Sequence, residues 1–257
     1  MPRKARKHYC SEFFHVIVQG INREKVFKTG KNKQKYLSIF KENYINSDVK
    51  IISYCMMDNH AHFVLHSEHF INISKMMHKI NLNYGMYYNH IQDRCGYVFR
   101  DRFKAEEITN REYLLNCIKY VHNNPVKAGI CEKCEQYKYS SFLNYKNEEI
   151  TDLIDLAFIK QKLSNLEIEY NDVFGEYNSD DKFIEYYDEE EVEKMLPIIL
   201  SKCINAKNIK SNEIKNNREM LKEISYILNY EYKVSQKKIA EIFEVSKVKI
   251  NRLLNQK

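Results

Sequence analysis

The stretch "YCMMDNHAHFVLHS", residues 54–67, decides how the first half of this chain is read. Two apolar runs, "VKIISYCMM" (49–57) and "HAHFVLHS" (60–67), are separated only by Asp58 and Asn59. Runs of this length, rich in β-branched and aromatic residues, are strands, and a two-residue polar link between them predicts a hairpin. Side chains alternate across a strand, so Ala61, Phe63 and Leu65 share one face while His60, His62 and Val64 share the other. The apolar set suits a helical layer. The two imidazoles then project together, about 7 Å apart along the strand. They can hold one divalent ion if a third ligand arrives from elsewhere. The plain alternative is an amphipathic strand with a polar outer face.

Working outward, "FFHVIVQG" (13–20) is β-rich and reads as a strand. Residues 31–48 carry Tyr36, Leu37, Phe40 and Tyr44 at helical spacing, and residues 72–93 form a long amphipathic helix. "YVFRDRFKAEEI" (97–108) alternates like a strand, and "NREYLLNCIKYVHNNP" (110–125) is a helix opened by Asn110 and stopped by Pro125. The order βαββαβ plus a further helix predicts an α+β fold: a ferredoxin-like sandwich, with its helices on one face of an antiparallel sheet.

In that last helix Tyr120 and Asn124 stand four apart, on one helical face. A tyrosine beside an amide oxygen can supply a nucleophile and a metal ligand together. Equally, Tyr120 can be one partly buried aromatic among 20 tyrosines.

Charge is segregated along the 257 residues. Residues 1–146 hold 24 basic and 13 acidic side chains, a net of +11; residues 147–200 hold 4 and 16, a net of −12; residues 201–257 hold 13 and 6, a net of +7. Two basic blocks flanking an acidic one suggest two surfaces for a polyanion, joined by a segment that avoids it. The seven cysteines are too scattered for a disulfide framework, and Cys131-x-x-Cys134 lacks the second pair that a zinc site needs, so reduced thiols are expected. The start, "MPRKARKHYCSEFFHVIVQG", reads as a basic arm leading into a strand rather than a secretory signal. No run approaches the ~20 apolar residues of a membrane span, so a cytoplasmic, nucleoid-associated protein with no membrane partner is expected.

From the N-terminus to about residue 146 the chain resembles the HUH-type single-tyrosine transposases, most closely the REP-associated tyrosine transposases. The resemblance is carried by "FFHVIVQGINR", "YCMMDNHAHFVL", "YVFRDRFKAEEI", "YLLNCIKYVHNNPVKAG" and "YKYSSFLNY", in that order and at the expected spacing. Where the family has Met-Pro-Asn-His, this chain has Met57-Asp58-Asn59-His60, and Asp101 replaces the glycine before Arg102-Phe103. The resemblance implies that His60 and His62 are the paired histidines of the HUH motif, with Asn124 the third ligand to Mg²⁺ or Mn²⁺ and Tyr120 the nucleophile. It implies single-stranded DNA cut beside a hairpin through a 5′-phosphotyrosine. Arg3, Lys4, Arg6, Lys7, Arg23, Arg100, Arg102 and Lys104 could then follow phosphates, and Tyr97, Phe99 and Phe103 could stack on bases. Relatives often work as dimers, which makes a second copy of the chain a candidate partner.

The end of the chain reads separately. "QKKIAEIFEVSKVKINRLLN" (236–255) fits a helix-turn-helix, with Ile239, Ala240, Phe243, Ile250 and Leu253 inward and Glu244 at the turn position often held by glycine. Ser246, Lys247, Lys249, Asn251 and Arg252 would lie on the face offered to duplex DNA. The expected organisation is a nuclease domain (1–146), an acidic helical connector (147–210) and a DNA-binding module (211–257). Two functions stand: an active single-strand DNA transposase, or a non-catalytic DNA-binding regulator built on a transposase core.

Overall fold

The computed structural model describes residues 9–44, 47–100, 102–149, 151–178, 183, 196–197, 200, 214, 217–231 and 234–255. The chain divides into two compact units, Met1–Ile184 and Glu185–Lys257.

The first unit is built on four strands: β1 (Phe13–Gln19), β2 (Lys50–Met56), β3 (His60–His66) and β4 (Lys104–Ile108). They lie in the order β2-β3-β1-β4, every pair antiparallel. With α1 (Gly30–Tyr44) after β1 and α2 (Phe70–Ile91) after β3, this is the ferredoxin-like arrangement that the element order predicts. The hairpin turns at Asp58 and Asn59, and Met57 N donates to His60 O at 2.9 Å.

Both faces of the sheet are covered, which is why β1 is buried along its whole length. On one face Phe63 stacks on Phe40 (ring centroids 4.9 Å apart) and on Tyr36 (6.1 Å), both from α1. Beside them α2 buries Ile73, Met76, Met77, Ile80, Tyr84 and Tyr88, a stripe at three- and four-residue spacing. The other face, with the histidines, receives α3 (Arg111–Lys127). Asn110 caps α3 by accepting from Tyr113 N at 2.7 Å.

Two expectations are corrected here. Among the described residues the strand expected over 97–108 is confined to β4, and upstream of it one bridge, Gly20 with Phe99, is held by Ile21 N donating to Val98 O at 2.8 Å and Arg100 N to Gln19 O at 2.9 Å. Val98 and Phe103 are both buried although five residues apart, an odd spacing that breaks the alternation a continuous strand would keep. Pro125 does not stop α3, because the proline removes one N–H from the ladder and the bonding resumes behind it, with Ala128 N donating to Asn124 O at 3.0 Å.

Beyond residue 146 the chain continues to serve the first unit's core. Ile154, Leu156, Ile159, Leu163, Ile168, Val173 and Phe183 are all buried in it, several of them from α5 (Leu156–Asn165), which follows the short α4 (Phe142–Lys146).

The second unit packs α6 (Arg218–Tyr226), α7 (Gln236–Ile242) and α8 (Lys247–Asn255) around Leu221, Ile224, Leu228, Ile239, Ala240, Phe243, Ile250 and Leu253. The turn between α7 and α8 closes with Val245 N donating to Ala240 O at 2.9 Å, and Glu244 sits in the left-handed region at φ 53°. Among the described residues no helix is long and apolar enough to cross a membrane.

Candidate active site

The site forms where β3, β1 and α3 meet. His60 and His62, alternate residues of β3, have ring centroids 4.9 Å apart at 82°. Tyr120 from α3 lies edge-on to His62 at 5.6 Å. Asn124 sits one turn further along α3 and is 7% exposed. The structure thus brings Tyr120 to His62 and His62 to His60, with Asn124 on the same helix as Tyr120.

Each donor is pinned through the atom a metal would not use. His60 Nδ1 is 2.7 Å from Asn59 Oδ1, an acceptor, which sets the proton on Nδ1 and the lone pair on Nε2. His62 Nδ1 is 3.0 Å from His15 Nε2. Asn124 Nδ2 donates to Tyr120 O at 3.0 Å, so Oδ1 is the amide atom left to act as a ligand. Burial, aided by His60, His15 and Lys127, pushes the His62 pKa well below the ordinary histidine value, which keeps the imidazole neutral as coordination requires. Among the described residues no cluster of three or more His, Cys, Asp or Glu side chains could hold a metal. A third donor among the described residues would be of another type, and an amide oxygen suits a hard cation. The donor set fits a divalent ion.

The backbone beneath the pair is tightly constrained. Gly20 N donates to Asn59 O at 2.9 Å, and a Cβ at Gly20 would stand 2.3 Å from Glu24 O, so only glycine allows that approach. Lys33, its side chain 5% exposed, pairs with Asp58 Oδ1 at 2.6 Å and fixes the hairpin turn from the α1 side.

Tyr120 is 2% exposed. Phe183, from the acidic segment, stacks on its ring at 4.3 Å and 19°, and Tyr177 meets it edge-on at 5.3 Å. Lys127 Nζ is 5.3 Å from the same ring centroid. Sequence reasoning missed His15, Lys127, Tyr177 and Phe183. Two of these carried a signal: His15 interrupts an apolar strand as His60 and His62 do, and Lys127 continues the 120, 124 face at helical spacing. Tyr177 and Phe183 carried none.

The residues expected to meet DNA have several fates. Arg3, Lys4, Arg6 and Lys7 lie outside the described residues. Arg23 falls in a short turn after β1, at φ 57°. Arg100 and Arg102 line a groove of about 850 Å³ beside α2, together with Tyr97, Phe99, Leu82 and Met86. Tyr97 is 84% exposed there, whereas Phe103 is buried against Phe70 and offers little stacking face. Lys104 opens β4 opposite Ile17. In the second unit Ser246, Lys247, Lys249, Asn251 and Arg252 are exposed while Ile250 and Leu253 are buried.

Residues 9–124 match the family described as transposase, IS200-like. Among solved structures the chain is similar to a REP-associated tyrosine transposase bound to a REP hairpin, at TM-score 0.48 and 16% identity, covering 59% of this chain and 90% of that one. A candidate transposase from Deinococcus radiodurans R1 aligns at TM-score 0.33 and 12% identity, covering 52% of this chain and 96% of the other. Comparison with curated proteins gives no match. The segment of this chain that matches the IS200-like transposase model spans β1 through most of α3 and contains both histidines, Tyr120 and Asn124.

Proposed function

We propose that this chain cuts and rejoins single-stranded DNA beside hairpins, with Tyr120 as nucleophile and His60, His62 and Asn124 as ligands for Mg²⁺ or Mn²⁺. The observation that carries the reading is the approach of the Tyr120 ring to His62, 5.6 Å between centroids, at the junction of β3 and α3. It joins a family match in sequence to a working distance in space.

The Tyr120 phenol oxygen attacks the scissile phosphorus in line. A bond forms from Tyr120 Oη to phosphorus and the bond from phosphorus to the 3′ oxygen breaks. The phenolic proton ends, by way of solvent, on the 3′-OH released. The product is a 5′-phosphotyrosine that conserves the phosphodiester energy, so a second 3′-OH can reverse the step without ATP. Bound at the donor set, a divalent cation supplies Lewis acidity to the non-bridging phosphate oxygens. Two imidazoles and one amide oxygen suit Mn²⁺ better than Mg²⁺, since imidazole prefers the softer ion. Lys127, beside the Tyr120 ring, favours negative charge on both the phenolate and the phosphate. Arg100, Arg102 and exposed Tyr97 offer the groove beside α2 to backbone and unpaired bases.

In this reading the second unit is a helix-turn-helix that holds duplex DNA through Ser246, Lys247, Lys249, Asn251 and Arg252 on the outer face of α8. One observation favours the second reading, a regulator without chemistry: Tyr120 is covered by Phe183.

The test is incubation of the full chain with hairpin-bearing single-stranded DNAs and Mn²⁺ or Mg²⁺, with EDTA as control. The read-out is a protein–DNA adduct that survives SDS. A metal-dependent adduct, lost in Tyr120→Phe, is expected. No adduct, with retention of duplex DNA that requires residues 217–255, would instead establish the regulator.

A further inference from the structure

His15 lies at the centre of the sheet and has no part in the chemistry above. It is fully buried on β1 and pairs in register with Val64, which makes His62 its diagonal neighbour on the same face. The two rings lie nearly parallel, 20° apart with centroids at 5.2 Å, and His15 Nε2 is 3.0 Å from His62 Nδ1. The edge of the His15 ring also faces Tyr120, at 5.8 Å. Both rings are buried, which favours neutral imidazoles that share one proton between Nε2 and Nδ1.

The other nitrogen, His15 Nδ1, has no hydrogen-bond partner among the described residues. Glu106, the residue opposite His15 on β4, has its carboxylate engaged by the Tyr113 hydroxyl at 2.8 Å. A buried polar nitrogen left unpaired costs on the order of 1–3 kcal/mol, and valine or phenylalanine would pack this position without that cost. What the imidazole supplies there is a partner for His62 Nδ1.

We propose that His15 is a positioning residue: its Nε2 accepts the proton of His62 Nδ1, and so holds the lone pair of His62 on Nε2, the atom that meets the metal. The inference rests on the reading of His62 as a ligand. Neutral imidazole carries one proton on either nitrogen, and only the Nδ1–H form can coordinate through Nε2. A bond in the opposite sense, from His15 Nε2–H to His62 Nδ1, would put a proton on the coordinating atom. His60 achieves the same result through Asn59 Oδ1. The two ligands are thus set by different partners, one on the turn and one in the core, and metal-bound imidazoles are commonly oriented in this way.

The experiment records the side-chain nitrogen resonances of the metal-free, ¹⁵N-labelled full chain by long-range ¹H–¹⁵N correlation. His62 is assigned by the signal lost in His62→Asn. In the wild type His62 is expected in the Nδ1–H form. His15→Phe, which fills the volume but cannot accept, is expected to move His62 towards Nε2–H and to weaken Mn²⁺ binding, followed by electron paramagnetic resonance, about 10–100-fold. His15→Gln, whose Oε1 can reach the place of Nε2 and accept, is expected to restore both. A wild-type His62 in the Nε2–H form overturns the proposal even if neither His15 variant folds. So does His15→Phe with unchanged tautomer and unchanged Mn²⁺ binding. Failure of the wild type to bind Mn²⁺ would strike the ligand reading instead, while the nitrogen spectrum would still report what His15 does.

Discussion

In the proposed reaction Tyr120, which is 2% exposed, cannot reach a phosphate until its cover moves, which makes Phe183→Ala the most telling substitution. Phe183 is held between two rings, Tyr120 at 4.3 Å and Tyr113 at 5.3 Å, and is itself 7% exposed. Burial of a phenylalanine side chain is worth roughly 1.5–3 kcal/mol, and a well-formed aromatic pair adds about 0.5–1.5 kcal/mol. Lifting the ring off Tyr120 therefore costs about 2–4 kcal/mol. Alanine leaves little of this, so the uncovered fraction of the protein rises by roughly 30-fold or more, because each 1.4 kcal/mol is a factor of ten. The observed gain is capped where uncovering stops limiting the rate. A rise of at least tenfold is expected in the single-turnover rate of SDS-resistant adduct formation, on hairpin-bearing single-stranded DNA with Mn²⁺. Phe183→Leu, which keeps apolar bulk but not the stack, should fall between. An unchanged or slower rate in Phe183→Ala, with the thermal transition of the first unit intact, would refute the reasoning.

Other consequences are equally open to measurement. Asp58→Ala strands the buried Lys33 ammonium and should destabilise the first unit by about 2 kcal/mol in urea, less than a fully buried pair would lose because Asp58 is partly exposed; Asp58→Ala/Lys33→Met should recover most of it. His122 is buried, bonded through Nε2 to Ser141 Oγ at 2.8 Å, and burial pushes its pKa from 6.5 down to about 3. The unfolded chain therefore takes up this proton first. The stability His122 protects is full above about pH 6.5 and is lost as the pH falls towards about 3, roughly 2 kcal/mol by pH 5. His122→Gln should flatten that part of the stability profile. Glu244 holds a left-handed conformation at φ 53°, so Glu244→Gly should raise the calorimetric transition of the second unit by an amount equivalent to about 1 kcal/mol.

The sheet and its helices were legible because each rests on a local signal, whereas α3 covering the face opposite α1 and α2 was not. Asp58-Asn59 between two apolar runs marked the hairpin, and residues 72–93 read as one long amphipathic helix. The strand over 97–108 was overcalled because alternation does not say which residues have a partner strand: residues 104–108 pair along β1, whereas Val98 and Phe103, five apart and so out of step with a two-residue period, are both buried. Pro125 misled because a proline rule treats the ladder as broken, whereas in the last turn only one bond is forgone. His60, His62, Tyr120 and Asn124 were picked out as candidates through strand and helix spacing combined with the family pattern, and the structure brings the first three together. His15 became meaningful only when the register put it diagonal to His62. Phe183 could not be found at all, because it is one of several aromatics in an acidic run, and nothing there marks the ring that stacks on a tyrosine some sixty residues earlier.

That separation along the chain has a consequence for the protein as it is made. β1, the hairpin and α3 are complete once residue 127 has been added, and with them the tyrosine, both histidines and Asn124. The ring that covers Tyr120 comes later. At ribosomal speeds of about 5–20 residues per second, Phe183 trails Tyr120 by roughly 3–12 s. During that interval the face that carries Tyr120 has been synthesised without its roof, while the chain is still tethered to the ribosome. Every new molecule thus passes once through a short exposed youth before its own later sequence can close over Tyr120.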